Sequence, residues 1–276
     1  FVMGIGTPTP YPEQKAAVKA CIASGRGTVS ACTGFGKSVT IALLIQHLQV
    51  RTLVVVPTLG LKTQLSQSLK SAFGGLDNIT VLNIDSPELQ NAKDYGCLII
   101  DEAHHAAAAT YRCLNKAAWS GIYFRFSFTA TPFRSRDEEQ LLYESIAGQV
   151  VYSVDYKTCV AKGYIAPLEA YYYDLPKTRC TGTTWAEVYS QLVTNNHYRN
   201  RLIAHTMSLL GDTATLCLVR ELKHGATLSE LTQVACANGC DGNSRELILE
   251  FNLGHRKQLI GTTGVLGEGV DSKPAE

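Results

Sequence analysis

The segment Ala31-Cys-Thr-Gly-Phe-Gly-Lys-Ser38 constrains the fold of this chain more than any other stretch. It joins an apolar run typical of a strand to an apolar run typical of a helix. Gly34 and Gly36 allow successive backbone N–H groups to turn toward one point, where a helix N-terminus favours an anion. The segment therefore predicts a phosphate-binding loop, in which Lys37 reaches the terminal phosphates and Ser38 binds Mg²⁺.

The strict phosphate-loop pattern requires glycine at position 31, where this chain has alanine. Taken alone, the segment also fits a glycine-rich turn with a solvated lysine. A nucleotide site requires, in addition, a second strand that ends in a carboxylate. The run Cys97-Leu-Ile-Ile-Asp101-Glu102 meets this requirement. We expect Asp101 to hold Mg²⁺ through its water shell and Glu102 to act on the attacking water; the alternative is two surface acids at a strand end.

Strand-like and helix-like runs alternate along the chain, which predicts an α/β fold with mainly parallel sheets. In such sheets, ligands bind beyond the carboxyl ends of the strands. Lys37, Asp101 and Thr131 each follow a predicted strand, so we expect them to converge on one crevice. The predicted helices are 13–24, 39–49, 61–73, 106–119, 184–210 (one or two helices), 228–237 and 244–253. The predicted strands are 27–31, 51–57, 79–84, 97–100, 123–129, 168–173, 214–219 and 258–262.

The length of 276 residues predicts about two domains. We place the first at residues 1–165 and the second at 166–276. Hydrophobic residues at 45% and charged residues at 18% indicate a globular chain and exclude a disordered or fibrous one. The net charge of +1 gives no overall basic field, although a basic groove is compatible with it.

The cysteines and the apolar runs indicate the compartment. Nine cysteines without a C-x-x-C pair favour buried thiols in a reducing environment over a disulfide framework or a zinc site. No apolar run reaches the roughly 18 residues that a membrane-spanning helix needs, and no N-terminal signal is visible. We therefore expect a soluble, cytoplasmic protein that does not bind a membrane.

Several motifs together resemble those of the superfamily 2 helicases and translocases. The phosphate loop, Asp101-Glu-Ala-His104 and Thr129-Ala-Thr131 look like motifs I, II and III of that superfamily. Within it, the DEAH-box-like acidic motif and the run Thr129-Ala-Thr-Pro-Phe-Arg134 look most like the DNA-directed branch, which includes type III restriction subunits and bacterial or viral branch-migration helicases. Further resemblances are Tyr11–Gln14 to the glutamine motif, Val56–Thr58 to motif Ia, Leu216–Arg220 to motif IV and Gly261–Asp271 to motif V.

The resemblance implies two tandem RecA-like domains, each a mainly parallel sheet flanked by helices, with the second truncated. It implies ATP and Mg²⁺ as cofactors and a nucleic-acid strand bound across both domains. Gln14 would read adenine, although Pro12 and Glu13 interrupt the usual Tyr-Gln adjacency, and His104, Thr129 and Thr131 would couple nucleotide state to movement. The implied nucleotide-binding residues are Gln14, Thr33, Gly34, Phe35, Gly36, Lys37, Ser38, Gly269 and Asp271. The implied nucleic-acid contacts are Pro57, Thr58, Thr262, Thr263 and Gly267.

The resemblance therefore implies an ATP-dependent DNA helicase or translocase of the recombination and repair type. Two alternatives remain: an RNA helicase, and an ATP-gated nucleic-acid-binding switch with little turnover. Motif VI, which supplies an arginine to the γ-phosphate, is expected beyond Glu276, so we expect a chain that ends there to bind ATP and hydrolyse it slowly.

The run Tyr171-Tyr-Tyr173 allows two interpretations. Exposed tyrosines could stack on the bases of a single strand. Their position in a predicted strand favours packing into the core instead, and we predict the latter.

Overall fold

The computed structural model describes residues 9–90, 94–106, 108–116, 119, 121–132, 137–240 and 242–266. The chain forms two compact units, Phe1–Glu169 and Ala170–Glu276. Each unit contains a parallel sheet, which confirms the predicted α/β class. Among the described helices, none is both long enough and apolar enough to cross a membrane.

The sheet of the first unit has six strands in the described residues, in the order β3-β2-β4-β5-β1-β6. All neighbouring strands run parallel. Because β5 lies between β1 and β4, the carboxyl ends of these three strands meet at one edge of the sheet. The strands are β1 (Arg26–Ala31), β2 (Thr52–Val56), β3 (Ile79–Asn83), β4 (Cys97–Ile100), β5 (Phe124–Thr129) and β6 (Val150–Val154).

Both faces of this sheet are covered, which explains why its central strands are continuous apolar runs. Alternate residues of β2 point to opposite faces: Val54 packs in one core cluster and Leu53 in the other. The first cluster includes side chains from the first three helices, and the second includes Tyr143 from the fourth. The helices of this unit are α1 (Pro12–Ser24), α2 (Lys37–Leu48), α3 (Leu59–Phe73), α4 (Asp137–Ala147) and α5 (Tyr156–Ala161).

Local sequence fixes the ends of these helices. α1 begins at Pro12, which suits the first turn, and Gly25 follows it in the left-handed conformation at φ 70°. The hydroxyl of Thr58 accepts a hydrogen bond from the N–H of Leu61 and caps α3. α2 begins at Lys37, two residues earlier than predicted, so the phosphate loop leads directly into its first turn.

Leu53 offers a test of the core of the first unit. Its side chain is fully buried, so Leu53→Ala should lower the free energy of unfolding by about 2–5 kcal/mol, because lost apolar contacts and a residual cavity add together. Urea unfolding followed by circular dichroism measures this change. Leu59, which is 67% exposed, provides the matched control, and Leu59→Ala should change stability by less than about 0.5 kcal/mol. Equal effects of the two substitutions would contradict the assigned core.

The second unit has a smaller parallel sheet, with strand order β7-β9-β8 in the described residues. Its strands pack against helices in two small apolar clusters, one around Leu228 and one around Phe251. The strands are β7 (Thr215–Val219), β8 (Cys236–Ala237) and β9 (Gln258–Thr262). The helices are α6 (Trp185–Tyr189), a π-helical turn (Ser190–Thr194), α7 (His197–Leu210), α8 (Leu222–Thr232), α9 (Ser244–Asn252) and α10 (Thr263–Leu266).

The helix predicted over 106–119 is wrong. The described part of this region forms short 3₁₀ helices at Ala103–His105 and Ala109–Asn115. The buried guanidinium of Arg125 donates hydrogen bonds to the carbonyl oxygens of Leu114 and Trp119. A continuous α-helix over these residues would use the Leu114 carbonyl internally. Tertiary contacts thus override the helix propensity of this alanine-rich stretch.

Two predictions for the chain after β6 are also wrong. Residues 168–173 form no strand, and the side chains of Tyr171, Tyr172 and Tyr173 are 75%, 94% and 64% exposed, so they do not pack into the core as predicted. The helix predicted over 228–237 is shifted: it spans Leu222–Thr232 and ends where Gln233 adopts the left-handed conformation at φ 60°. That turn frees the chain to form β8 in place of the predicted last helical turn.

Candidate functional site

The loop between β1 and α2 requires both of its glycines. Gly34 and Gly36 have φ angles of 84° and 83°, in the left-handed region that residues with a Cβ rarely adopt. A Cβ on Gly34 would lie 2.5 Å from Cγ2 of Ile165, and one on Gly36 would lie 2.7 Å from Nε2 of Gln14. Ala31, in contrast, is the fully buried last residue of β1, so alanine fits where the strict pattern has glycine.

Gln14 holds the loop from the first helix. Its buried side chain donates from Nε2 to the carbonyl oxygens of Phe35, at 2.8 Å, and Gly36, at 3.3 Å. Its Oε1 accepts from the N–H of Tyr11 at 2.9 Å. Phe35 is itself fully buried in the core, so the loop is anchored by both apolar packing and the Gln14 amide. The structure therefore places Gln14, predicted to read adenine, in contact with the backbone of the loop.

Side chains from the end of the first unit hold α1 beside the loop by contacting Glu13; we call these residues the Glu13 cluster. Glu13 accepts hydrogen bonds from the ammonium of Lys162 and the hydroxyl of Tyr164. The ring of Tyr164 stacks on that of Tyr11, with centroids 3.8 Å apart and planes 12° apart. The next residue, Ile165, covers Gly34. Sequence reasoning missed this cluster, because Glu13 and its partners are about 150 residues apart and belong to no motif.

The Glu13 cluster predicts a pH dependence of stability. The hydrogen bonds from Lys162 and Tyr164 lower the pKa of Glu13 from 4.5 to about 2. A carboxyl whose pKa is lowered by folding stabilises the protein fully above its ordinary pKa, and this contribution is lost as the pH falls from about 4.5 toward 2. Glu13→Gln should therefore flatten the dependence of unfolding free energy on pH in that interval, measured by urea unfolding at successive pH values.

The control for this experiment is Glu88→Gln, at an exposed carboxylate outside the cluster. It should leave the slope of stability against pH as in the unchanged protein. An equal slope for the Glu13→Gln variant and the unchanged protein would show that the cluster does not stabilise the folded state.

Asp101 follows β4 and is buried at the same sheet edge. Its Oδ1 accepts from the N–H of Glu102 at 3.0 Å, and its own N–H donates to the carbonyl oxygen of Val55 at 2.9 Å. Burial raises the pKa of Asp101 to about 6, although the positive charge of Lys37 opposes this shift. A buried carboxylate in this position is stabilised in its charged form by a cation.

The donor set fits Mg²⁺ bound with a phosphate. Among the residues that the structure describes, no group of three or more His, Cys, Asp or Glu side chains could hold a metal ion. Mg²⁺ is commonly bound by one or two protein oxygens together with waters and substrate phosphates, so the Asp101 carboxylate and the Ser38 hydroxyl are sufficient protein ligands.

Glu102 is aimed at Lys37 by an unusual backbone conformation. It adopts the left-handed region at φ 47° and ψ 47°, which costs of order 1–3 kcal/mol for a residue with a Cβ. Its Oε1 accepts from Nζ of Lys37 at 2.7 Å, and its Oε2 lies 3.3 Å from Nδ1 of His104. Burial alone would raise the pKa of Glu102, but the hydrogen bond from His104 and the charge of Lys37 outweigh it and hold the pKa at about 2.

The remaining predicted residues fall into four groups. Thr129 is fully buried at the end of β5, and its hydroxyl accepts from the N–H of Thr131 at 3.1 Å, next to the acidic motif in the sheet order. Thr58 follows the partly buried Pro57 and caps α3. Thr262 and Thr263 lie in the second unit, where Thr262 is buried and Thr263 exposed. Gly267, Gly269, Asp271 and Arg134 lie outside the described residues.

The first unit therefore brings together most of the predicted nucleotide site. Lys37 and Glu102 are in direct contact, and Asp101 and His104 both adjoin Glu102. The side chain of Gln14, on α1, contacts the backbone of the loop. Ser38 lies in the first turn of α2, directly after Lys37, while Thr33 is exposed at the start of the loop.

Parts of this chain are similar to known proteins. Residues 7–91 and 76–134 match the family described as type III restriction enzyme, res subunit. A relative from Sulfurisphaera tokodaii named DNA 3'-5' translocase XPB2 is 33% identical over 169 residues, which cover 55% of this chain and 37% of the relative. This chain thus spans little more than a third of that protein's length.

Two solved structures share the fold at low sequence identity. The Mycobacterium smegmatis helicase Lhr, bound to single-stranded DNA and AMP-PNP, aligns over 97% of this chain and 41% of its own, with a TM-score of 0.61 and 15% identity. The Pyrococcus furiosus Hef helicase domain aligns over 99% of this chain and 89% of its own, with a TM-score of 0.60 and 11% identity. These likenesses confirm the predicted RecA-like fold.

Proposed function

We propose that this chain, as a superfamily 2 helicase or translocase of the type III restriction and branch-migration kind, couples ATP hydrolysis to movement on DNA or remodelling of DNA in recombination or repair. The observation that carries this proposal is the contact between Lys37 and Glu102 beside the buried Asp101, at the sheet edge where the glycine loop begins. A lysine, a buried acid and a second acid beside a phosphate loop are the parts that phosphoryl transfer to water requires.

In the proposed mechanism, the loop N–H groups and the Lys37 ammonium bind the phosphates, and the Ser38 hydroxyl and the Asp101 carboxylate hold Mg²⁺. The metal, when bound, neutralises charge that develops on the phosphate oxygens. Gln14 fixes the carbonyl groups of Phe35 and Gly36, which orients the loop amides in the opposite direction. Most of the catalytic effect then comes from positioning and charge stabilisation.

Glu102 would accept the proton of the attacking water. At a pKa of about 2 it is fully ionised at neutral pH but is a weak base. A phosphate that binds the ammonium of Lys37 in place of Glu102 removes one of the contacts that lower the pKa of Glu102. Binding of a phosphate to Lys37 therefore changes the electrostatic environment of Glu102.

DNA is the proposed nucleic-acid substrate along which the protein moves. The name of the Sulfurisphaera tokodaii relative supports DNA over RNA. Pro57, Thr58, Thr262, Thr263 and Gly267 are proposed to contact the strand, chiefly at phosphate and sugar. Contacts of this kind carry little sequence preference, and the resulting affinity falls steeply with salt.

Steady-state ATP hydrolysis by the full-length protein tests this function. Rates should be compared without nucleic acid and with single-stranded, duplex and forked DNA, and with single-stranded RNA of the same length. DNA should stimulate hydrolysis, and added salt should reduce the stimulation. Equal rates in all conditions would contradict the proposal, and stronger stimulation by RNA would favour an RNA helicase. ATP-dependent DNA affinity without stimulated turnover would favour a binding switch.

A further inference from the structure

Two arginines stand side by side at the edge of the first unit's sheet that is opposite the phosphate loop. Arg26 is the first residue of β1, and it is the direct register partner of Arg125 in β5. The phosphate loop begins after Ala31, at the other end of β1, roughly 16 Å away at about 3.3 Å per strand residue. Like charges directly opposite each other on neighbouring strands destabilise a sheet, so this pair calls for a compensating interaction.

The hydrogen bonds of the two guanidinium groups go to neutral acceptors. Arg125, only 9% exposed, donates to the carbonyl oxygens of Leu114 and Trp119 and, at 3.4 Å, to Oδ1 of Asn115. Arg26 donates to the carbonyl oxygens of Tyr123, at 3.1 Å, and Ile122, at 3.0 Å. Within the described ranges, neither arginine forms an ion pair. In the part of the chain that the structure describes, the hydrogen-bond acceptors given for these two adjacent cations, one of them buried, are thus neutral.

Both arginines line one cavity of about 380 Å³. Its walls include Asn115 and Ser145, which are bonded to each other: Nδ2 of Asn115 donates to the hydroxyl and the carbonyl oxygen of Ser145. Glu144 is the acidic residue of the lining, and its carboxylate accepts from Nε2 of Gln140 at 2.8 Å. The volume exceeds by about tenfold the roughly 30 Å³ that one water occupies in the liquid, so an oxyanion with a substituent fits.

The energetics favour an anion in this cavity. Burial and the charge of Arg26 both lower the pKa of the Arg125 guanidinium, so its charged form is held at a cost. An oxyanion between the two groups offsets both the desolvation and the mutual repulsion, because a guanidinium binds an oxyanion through paired, charge-assisted hydrogen bonds. The hydrogen bonds from Arg125 to carbonyl oxygens explain how its side chain is oriented. They do not explain why a second cation, Arg26, lies beside it.

We propose that Arg26 and Arg125 form a binding site for a small oxyanion of the phosphate class, separate from the nucleotide site. Asn115 and Ser145 form the polar rim of this site, and Glu144 limits the charge of the ligand it accepts. Occupancy stabilises the first unit by joining the amino-terminal ends of β1 and β5.

Equilibrium dialysis with radiolabelled inorganic phosphate, at constant ionic strength, tests this site. The phosphate loop also binds phosphate, so the experiment uses the full-length Lys37→Ala variant, in which we expect one remaining site. Adding Arg26→Gln should weaken that site at least tenfold, while adding Arg51→Gln, at another exposed arginine of the same unit, should leave it unchanged. Unlabelled acetate, added as a competitor, distinguishes a carboxylate site from a phosphate site. We expect acetate to compete only weakly with the labelled phosphate.

Two results would overturn the proposal: loss of all phosphate binding in the Lys37→Ala variant, or equal binding with and without Arg26→Gln. Glu144→Gln gives an independent test, because removing a negative charge from the wall should tighten phosphate binding at least threefold. Unchanged or weaker binding in that variant would also overturn it. Thermal melts of each variant followed by circular dichroism establish that the proteins are folded.

Discussion

Lys37→Ala should weaken ATP binding by about 100-fold and reduce hydrolysis to background. Nζ of Lys37 lies 2.7 Å from Oε1 of Glu102. Lys37 is the first residue of α2, where its ammonium would bind the terminal phosphates. Two charge-assisted hydrogen bonds, each worth about 1.5–3 kcal/mol, account for at least about 3 kcal/mol, which corresponds to about 100-fold in affinity. Titration with a fluorescent ATP analogue and a steady-state hydrolysis assay measure the two effects.

Lys19→Ala is the matched control, because Lys19 is an exposed lysine on α1 outside the site. It should leave nucleotide affinity and turnover unchanged. ATP affinity of the Lys37→Ala variant within threefold of the unchanged protein would show that the segment is a glycine-rich turn rather than a phosphate loop.

Glu102→Gln should keep nucleotide binding and lower the rate of hydrolysis by about 10²–10⁴-fold, the typical contribution of a general base. Glutamine has the same length as glutamate and meets the same backbone strain at φ 47°, so the substitution removes the charge and little else. It also releases Lys37 from its ion pair, so ATP affinity should be equal or higher. Single-turnover hydrolysis, measured beside equilibrium binding, separates these two effects.

The control is Glu88→Gln, on an exposed 3₁₀ turn of the same unit, which should have no effect on either measurement. Turnover within threefold of normal in the Glu102→Gln variant would remove Glu102 from the mechanism and leave water activation to another group.

The sequence predicted those parts of the site that consist of short motifs of consecutive residues. The loop, the acids after β4 and the parallel order of strands all follow from local spacing and from the rule that strand ends share an edge. Motif resemblance also identified Gln14, but its contact with the loop carbonyls depends on how α1 packs and could not be read from Tyr11–Gln14 alone.

The errors and omissions share one physical cause, which is long-range pairing. Residues 106–119 have helical composition, yet Arg125 and buried aromatic side chains draw them into turns. The Glu13 cluster and the arginine pair each join residues about 100 or more positions apart, with no repeat or spacing to announce them. The exposed tyrosines at 171–173 have a high propensity for strands, but propensity gives a strand only where a neighbouring strand pairs with the segment.

The position of β1 between β5 and β6 has a consequence for synthesis of the protein on the ribosome. β1 is made first among the strands, but both of its partners are made last in the first unit. The segments β2, β3 and β4 can pair as they emerge, whereas β1 stays unpaired until β5 has been translated to residue 129, and it gains its second partner only with residue 154. Gly34 stays uncovered until Ile165 is available. The glycine loop is therefore completed late, and a nascent chain arrested before that point has not assembled the proposed ATP site.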